Sequence, residues 1–274
     1  MNEEQILVSI NCITYNHRNY IAQCLDGMLM QQTNFKFEIL IHDDASTDGT
    51  DVVLREYAEK YGDIIRPILQ TENQYSKKVD IWNTYQFPRA RGKYIAICEG
   101  DDYWTDPLKL QKQVDFMEKN GQYAFCCHRF SIFDQELKSW NDDYIASIDP
   151  PAGDLVITKE LFFRIWVTHP LTSLIRKECY DRIAPIISKY SLQRDVHLFY
   201  HLLQTGKGYL LNENMGVYRV HQGGIASKKK KHEKLRTGYL IYKELYLQNL
   251  TDFTLLKHYL YYGVVYRFTK IKNR

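Results

Sequence analysis

Residues 94–106 read YIAICEGDDYWTD: an apolar, β-prone run from Tyr94 to Cys98 ends in three acids within four positions, Glu99, Asp101 and Asp102. Side chains alternate faces along extended chain, so acids two apart can point the same way. A hard cation bridging a diphosphate needs one or two such carboxylates, and this is where it would find them. A solvated acidic loop after a strand is the plainer reading of the same residues. The surrounding sequence decides between the two.

Upstream, residues 6–13 (ILVSINCI) form another β-prone run, ending at Thr14-Tyr15-Asn16, and Tyr20, Cys24 and Met28 follow at helical spacing. The unit then repeats. Residues 37–42 predict a strand, 43–50 (DDASTDGT) a turn rich in capping side chains, and Leu54, Tyr57, Ala58 and Tyr61 a helix stopped by Gly62. Residues 64–69 predict a third strand and 82–90 a helix despite Pro88. Downstream of the acids, Thr105 or Asp106 caps a helix with Pro107 in its first turn, Leu110, Val114 and Met117 on its apolar face, and Gly121 at its end. Alternating strand and helix predict an α/β fold, with a mostly parallel sheet covered by helices on both faces and ligands bound beyond the carboxyl ends of the strands. Residues 14–16, 43–44 and 99–102 all fall at such ends. Neither G-x-G-x-x-G after the first strand nor G-x-x-x-x-G-K-[ST] anywhere is present, which leaves a metal to hold any phosphates.

Past residue 122 the pattern is mixed. Residues 123–130 (YAFCCHRF) and 168–176 (THPLTSLIR) are strand-like, Leu155-Val156 opens another strand, and 161–167 are apolar. Asp195 opens a helix marked by Val196, Phe199, Leu202 and Leu203 and ended by Gly206; residues 209–220 return to strand and stop at His221-Gln222-Gly223-Gly224.

A chain of 274 residues with 45% hydrophobic side chains has ample material for a core. Its 22 tyrosines suit a polar groove or an interface as well as an interior. The six cysteines show no CxxC pair and no framework spacing, so they read as small buried hydrophobes in a reducing cytosol. The acidic start MNEEQ lacks the basic and apolar regions of a secretory signal, and no uninterrupted apolar stretch approaches the length of a spanning helix. Charge is uneven: residues 227–274 hold 12 Lys/Arg against 3 Asp/Glu (+9), and the remainder 24 against 30 (−6). This basic tail opens with Lys228 to Lys231, carries Leu240, Leu245, Leu256, Leu260 and Val264 at helical spacing, and ends in Arg267, Lys270, Lys272 and Arg274. It suits the anionic, cytoplasmic face of a membrane as a peripheral contact, and equally a helical pair packed on the body. Nucleic acid is not expected, because no binding motif accompanies the charge.

The segments VSINCITYN, EILIHDDASTDGT, GKYIAICEGDDYWTDPLKL, the Asp195 segment and YRVHQGG, in this order across residues 6–225, resemble the inverting family 2 glycosyltransferases of the GT-A fold, of the bacterial surface-polysaccharide type. The resemblance implies a GT-A domain over 1–225, with a nucleotide-sugar half (1–121) and an acceptor half (122–225), followed by a basic, aromatic helical extension (226–274). It implies transfer from a UDP- or GDP-sugar, with Mn²⁺ or Mg²⁺, to a glycan or lipid-linked glycan. By the same resemblance Thr14, Tyr15, Asn16, Asp43 and Asp44 hold the nucleoside. Glu99-Gly100-Asp101, followed by Asp102, stands at the family's D-x-D site, with Glu in place of its first acid. Asp101 and His221 are the implied metal ligands and Asp195 the implied catalytic base, with Arg194 where a second acid often stands. An inverting transfer needs one carboxylate to take the acceptor proton and a cation to offset charge on the leaving phosphate. Several residues also have a structural reading: Asp44 and Asp48 as turn and cap residues, Asp195 as a helix cap, His221 as a structural histidine, and His169, Thr172 and Arg176 as strand packing instead of acceptor-side or phosphate contacts.

Two other functions are weighed against this one. A non-catalytic GT-A-like binding protein is opposed by the full set Asp43, Asp101, Asp195 and His221. A nucleotidyltransferase needs a Gly-rich, basic phosphate loop where this chain has Thr14-Tyr15-Asn16-His17.

Overall fold

A computed structural model of the protein describes residues 5–142, 153–165, 167–224 and 230–272; Lys228, Lys229 and Arg274 of the basic tail lie outside them. Strands β1 (Ile6–Thr14), β2 (Lys36–Asp43), β3 (Ile65–Leu69) and β4 (Tyr94–Ile97) pair in parallel in the order β3-β2-β1-β4. The sheet continues through β9 (Leu174–Arg176), antiparallel to both neighbours, to β6 (Tyr123–Asp134), then in parallel to β10 (Lys207–Val220), with the short β5 (Tyr103–Trp104) at the edge. Two further short strands, β7 (Ser139–Asn141) and β8 (Leu155–Ile157), pair antiparallel with β6 and β10.

Strand alternation sorts the apolar residues onto two faces. Ile39, Ile41, Tyr94 and Ala96 enter one cluster, shared with α1 (Ile21–Leu29), α2 (Thr50–Lys60) and α3 (Lys109–Lys119). Leu40, Ile95 and Ile97 enter the other, shared with α5 (Lys177–Ile187) and α6 (Asp195–Thr205). Helices on both faces of the sheet are as expected from the alternating pattern. All six cysteines are buried free thiols. The expected helix over 82–90 is instead a wide π-turn (Trp82–Gln86) followed by a 3-10 turn (Phe87–Arg89), because Pro88 has no N–H to continue a regular ladder. Helix α5 was not foreseen; Cys179, Tyr180, Ile183 and Ile187 give it a buried face, and it accommodates Pro185.

The tail forms two helices, α7 (Lys231–Gln248) and α8 (Phe253–Lys272), packed on α6 and on the short α4 (Lys159–Arg164) through Ile241, Leu245 and Leu255. Of the two readings of the basic tail, packing on the body is realised, while its outer face still exposes Leu247, Leu250, Phe253, Leu260, Val264 and Phe268. Among the described residues no helix is long and apolar enough to cross a membrane.

Lys109, in the first turn of α3, is fully buried with its ammonium 3.7 Å from the Trp104 ring centroid and no hydrogen-bond partner among the described residues. Burial pulls its pKa down to about 7, so between pH 7 and the unfolded value near 10.4 the unfolded chain holds the extra proton. Stability from this group therefore rises with pH across that window. The Trp104 face restores part of what the ammonium loses in hydration. Lys109→Met is expected to stabilise the protein by about 1 to 3 kcal/mol at pH 7, a few degrees in Tm, and to flatten the rise above pH 7. Thermal melts across pH 6 to 10 test this, and a lower Tm would show that the ring contact outweighs the burial cost.

Candidate active site

Register places the rim of the sheet. Thr14 pairs with Asp43 at the ends of β1 and β2, and Asn11 pairs with Ile97 at the end of β4. The Gly100 N–H then donates to the Ile13 carbonyl (3.0 Å), which carries the acidic segment alongside Thr14. Only glycine fits there: a Cβ would lie 2.6 Å from Thr14 Oγ1 and 3.1 Å from His17 Nδ1. The three polar clusters anticipated at strand ends thus share one rim.

At the centre stands Asp101, whose Oδ2 is 3.1 Å from His221 Nε2 and 3.8 Å from His17 Nε2. Burial raises its pKa, but the two imidazoles outweigh this and hold the carboxyl below the usual range, so it is ionised at neutral pH. His221 arrives from across the sheet. Register shifts between Leu211 and Val217 interrupt the ladder of β10 with β6, Gly216 and Val217 pair with β5, and the last residues of β10 run beside β6 again. Arg219 secures this end: its N–H donates to Asp102 Oδ1 (2.9 Å), its Nε to the Asp101 carbonyl (2.8 Å), and its guanidinium lies between the rings of Tyr20 and Tyr103.

The two histidines differ in readiness for a cation. Thr14 Oγ1 can accept from His17 Nδ1–H (3.2 Å), which leaves the Nε2 lone pair towards Asp101. His221 Nδ1 accepts from the Gly223 N–H (3.1 Å), so its Nε2 carries the proton shared with Asp101. One carboxylate and two imidazole nitrogens within 4.8 Å of one another form a donor set that fits a divalent ion, with His221 offering its Nε2 lone pair in the tautomer that carries the proton on Nδ1. His17 was not singled out in the sequence; its one signal is its position just past the same strand end as Thr14.

Glu99 is half-buried, and burial first, then the charges of Asp101 and Asp195, push its carboxyl up to about 8. Asp102 is buried against Arg219, its Oδ2 without a partner among the described residues and its pKa held well up by burial and the neighbouring Asp101. Asp43 accepts from the Ser46 N–H (3.1 Å) and hydroxyl, and burial raises its pKa. Asp44 accepts from the backbone N–H groups of Gln74 (2.6 Å) and Tyr75 (3.0 Å), holding that loop over the rim. Asn16 adopts φ 56° and ties two loops together, accepting from Thr47 N–H (2.8 Å) while its own N–H donates to Ser46 Oγ (2.8 Å). The Tyr15 ring is exposed. Asp48 serves as a cap, accepting from Thr50 N–H (3.0 Å) and Arg18 N–H (2.9 Å).

Asp195 is the first residue of α6; its Oδ1 accepts from the Val196 N–H (3.0 Å), and burial raises its pKa. Its charge acts on both Glu99 and Tyr218, which also feel Asp101, so Asp195 stands near enough to the acidic segment for their charges to act on the same groups. Arg176 and Thr172 take a packing role. Arg176 donates to the carbonyls of Tyr123 (3.2 Å) and Met117 (2.9 Å), and Thr172 Oγ1 to the His169 carbonyl (2.9 Å).

A family model described as Glycosyl transferase family 2 matches residues 9–184, well over half of the chain. An uncharacterized Mycobacterium tuberculosis protein, Rv1520, is 35% identical over 80% of this chain, which spans 60% of that relative's length. TuaG of Bacillus subtilis, named for glycosyl transfer in teichuronic acid biosynthesis, is 28% identical over 87% of this chain and 88% of its own. Among solved structures, S. aureus TarS 1-349 with UDP-GlcNAc superposes with TM-score 0.64 at 16% identity, covering 88% of this chain and 67% of that one. The mannosyltransferase PcManGT of Pyrobaculum calidifontis, with GDP-Man and Mn²⁺, gives 0.60 at 15% identity, covering 96% and 70%. These structural likenesses bear on the fold. The family match places the chain in glycosyl transferase family 2, to which it belongs.

Proposed function

We propose that the protein is an inverting glycosyltransferase that moves a sugar from a UDP- or GDP-linked donor to a hydroxyl of a glycan or lipid-linked glycan. One observation carries the reading: one carboxylate and two imidazoles, Asp101, His221 and His17, converge at the strand ends, with the Asp195 carboxylate near enough for its charge to act on Glu99 beside them. Asp101 and His221, with His17 beside them, would hold Mn²⁺ or Mg²⁺, which when bound offsets the negative charge developing on the departing diphosphate. Asp195 accepts the proton of the acceptor hydroxyl as that oxygen bonds to the anomeric carbon and the bond from this carbon to the diphosphate breaks. Asp43 retains lone pairs for a base N–H or ribose hydroxyl beyond those given to Ser46, and the exposed Tyr15 ring lies at the same rim. Asp44, Asn16 and Asp102 shape the pocket by holding loops and β10. Glu99 faces the donor's sugar or phosphate. The relatives' names support this class: TarS is seen with UDP-GlcNAc, PcManGT with GDP-Man and Mn²⁺, and TuaG is named for a cell-envelope polymer. The apolar and basic outer side of α7 and α8 supports peripheral docking at the inner face of an anionic membrane, where lipid-linked acceptors are found.

The test is a thermal-shift comparison of UDP, GDP, CDP and NAD, each with and without Mn²⁺ or Mg²⁺. A nucleotide at about 100 times its Kd stabilises the native state by roughly 2.7 kcal/mol. A cation-dependent shift with UDP or GDP is the expected result. No shift with any nucleotide overturns the reading.

A further inference from the structure

The Asp195 charge acts on Glu99 and Tyr218, towards the donor side of the proposed reaction. Asp195 also walls a cavity of about 190 Å³ together with Phe162, Phe163, Arg164, Val196 and Tyr242. Three elements build it: the end of α4, the first turn of α6, and the middle of α7. The rings of Phe163 and Tyr242 are 6.2 Å apart, and His258 of α8 lies 4.9 Å and 5.0 Å from them. Aromatic walls beside a carboxylate suit a pyranose, whose C–H face packs on rings while its hydroxyls reach polar groups at the edge.

Tyr242 is firmly placed relative to Asp195. Ile241 and Leu245 on the same helix pack against Tyr190 and Tyr200 of the body. Glu244 accepts from the Ser191 N–H (3.2 Å), and Asp252, between α7 and α8, accepts from Lys159 Nζ (3.0 Å) and the Tyr200 hydroxyl (2.9 Å).

Resting on the transferase reading above, we infer that this cavity is the subsite for the acceptor's terminal sugar, and that the C-terminal hairpin completes the active site by supplying Tyr242 as an acceptor-binding residue. The sugar ring lies against Phe163 and Tyr242 and presents its attacking hydroxyl to Asp195. Arg164, the cation among the lining residues, receives anionic groups of the acceptor next to that sugar.

The experiment measures transfer of labelled sugar from the donor into a glycolipid extract of the source cells' envelope, alongside the thermal shift with nucleoside diphosphate and Mn²⁺. Tyr242→Ala is expected to raise the half-saturating acceptor concentration about tenfold with the nucleotide shift unchanged, and Tyr242→Phe to stay within about twofold of wild type. Because Ala could loosen the hairpin, Tyr242→Cys is also labelled with a bulky maleimide after folding, which is selective because all six native thiols are buried. Labelling is expected to cut transfer at least about tenfold, while Arg182→Cys, at an exposed position on α5, keeps full transfer when labelled. Unchanged acceptor saturation in Tyr242→Ala, full transfer in labelled Tyr242→Cys, or equal loss in both labelled proteins overturns the acceptor subsite. A wild-type protein with no nucleotide shift fails the transferase reading itself, a distinct result.

Discussion

Asp195→Asn is expected to lower sugar transfer by roughly 10²- to 10⁴-fold, the usual worth of a positioned general base, and to leave donor binding intact. The two effects separate because the proposed mechanism gives Asp195 a second job beside its place at the helix start. Its Oδ1 accepts from the Val196 N–H at the start of α6, and the amide oxygen of Asn can take over that bond, so the helix start survives. The amide cannot accept a proton from an incoming hydroxyl, so the chemical step does not. The pH profile adds a second signature. A base acts as the carboxylate, so transfer climbs as pH rises through its pKa, and burial holds that pKa above the ordinary Asp value of about 3.9. Wild type should show this acidic limb displaced upward, and the Asn variant should lose the limb from its residual rate. Rates at saturating donor between pH 4 and 9 measure both; near-normal turnover in Asp195→Asn would remove Asp195 from the mechanism.

Why that residue was visible in the sequence, and others were not, follows from how local each signal is. Asp195 opens an apolar helical run, and residues 94–106 join a strand to acids, so both are written in contiguous residues. The positions of Thr14, Asp43 and Asp101 at strand ends needed only the alternation of strand and helix, and the parallel register of β1 with β2 and β4 brought them to one rim. His17 was passed over because its tie to Asp101 is created by the Gly100 to Ile13 hydrogen bond, a pairing between segments far apart in sequence. Arg219 was equally silent: it is buried, and its partners, Asp102 and the Asp101 carbonyl, lie far away in sequence. Arg176 and Thr172 looked available for a substrate in THPLTSLIR, but backbone carbonyls of neighbouring elements occupy them. The apolar spacing of the tail was legible, whereas which face would meet the body depended on α4 and α6, elements defined elsewhere in the chain.

Asp101→Ala should have the other large effect, and on binding as well as on turnover: the nucleotide-induced thermal shift in the presence of Mn²⁺ falls to its value without cation. Asp101 is the one carboxylate in its cluster with His17 and His221, so its removal leaves only the two imidazoles to face a divalent ion. Losing an outer-shell partner of a metal ligand already costs about 10- to 100-fold in affinity, and losing the carboxylate itself costs more. Transfer should fall at least about 10²-fold, the scale of removing one group that stabilises developing negative charge. His17→Ala and His221→Ala each remove a neutral donor and leave the charge, so smaller losses are expected from either. The two imidazoles also set a preference: Mg²⁺ favours oxygen ligands, so Mn²⁺ should give the larger shift in wild type and lose that advantage in His17→Ala. The Glu99–Asp101–Asp102 group is the rival location, and it predicts the reverse order, with His17→Ala silent and Asp102→Ala severe. Geometry argues against it, because Asp102 Oδ1 is already committed to the Arg219 N–H at 2.9 Å and burial disfavours its charge. A cation-dependent shift that persists in Asp101→Ala would move the metal away from this cluster altogether.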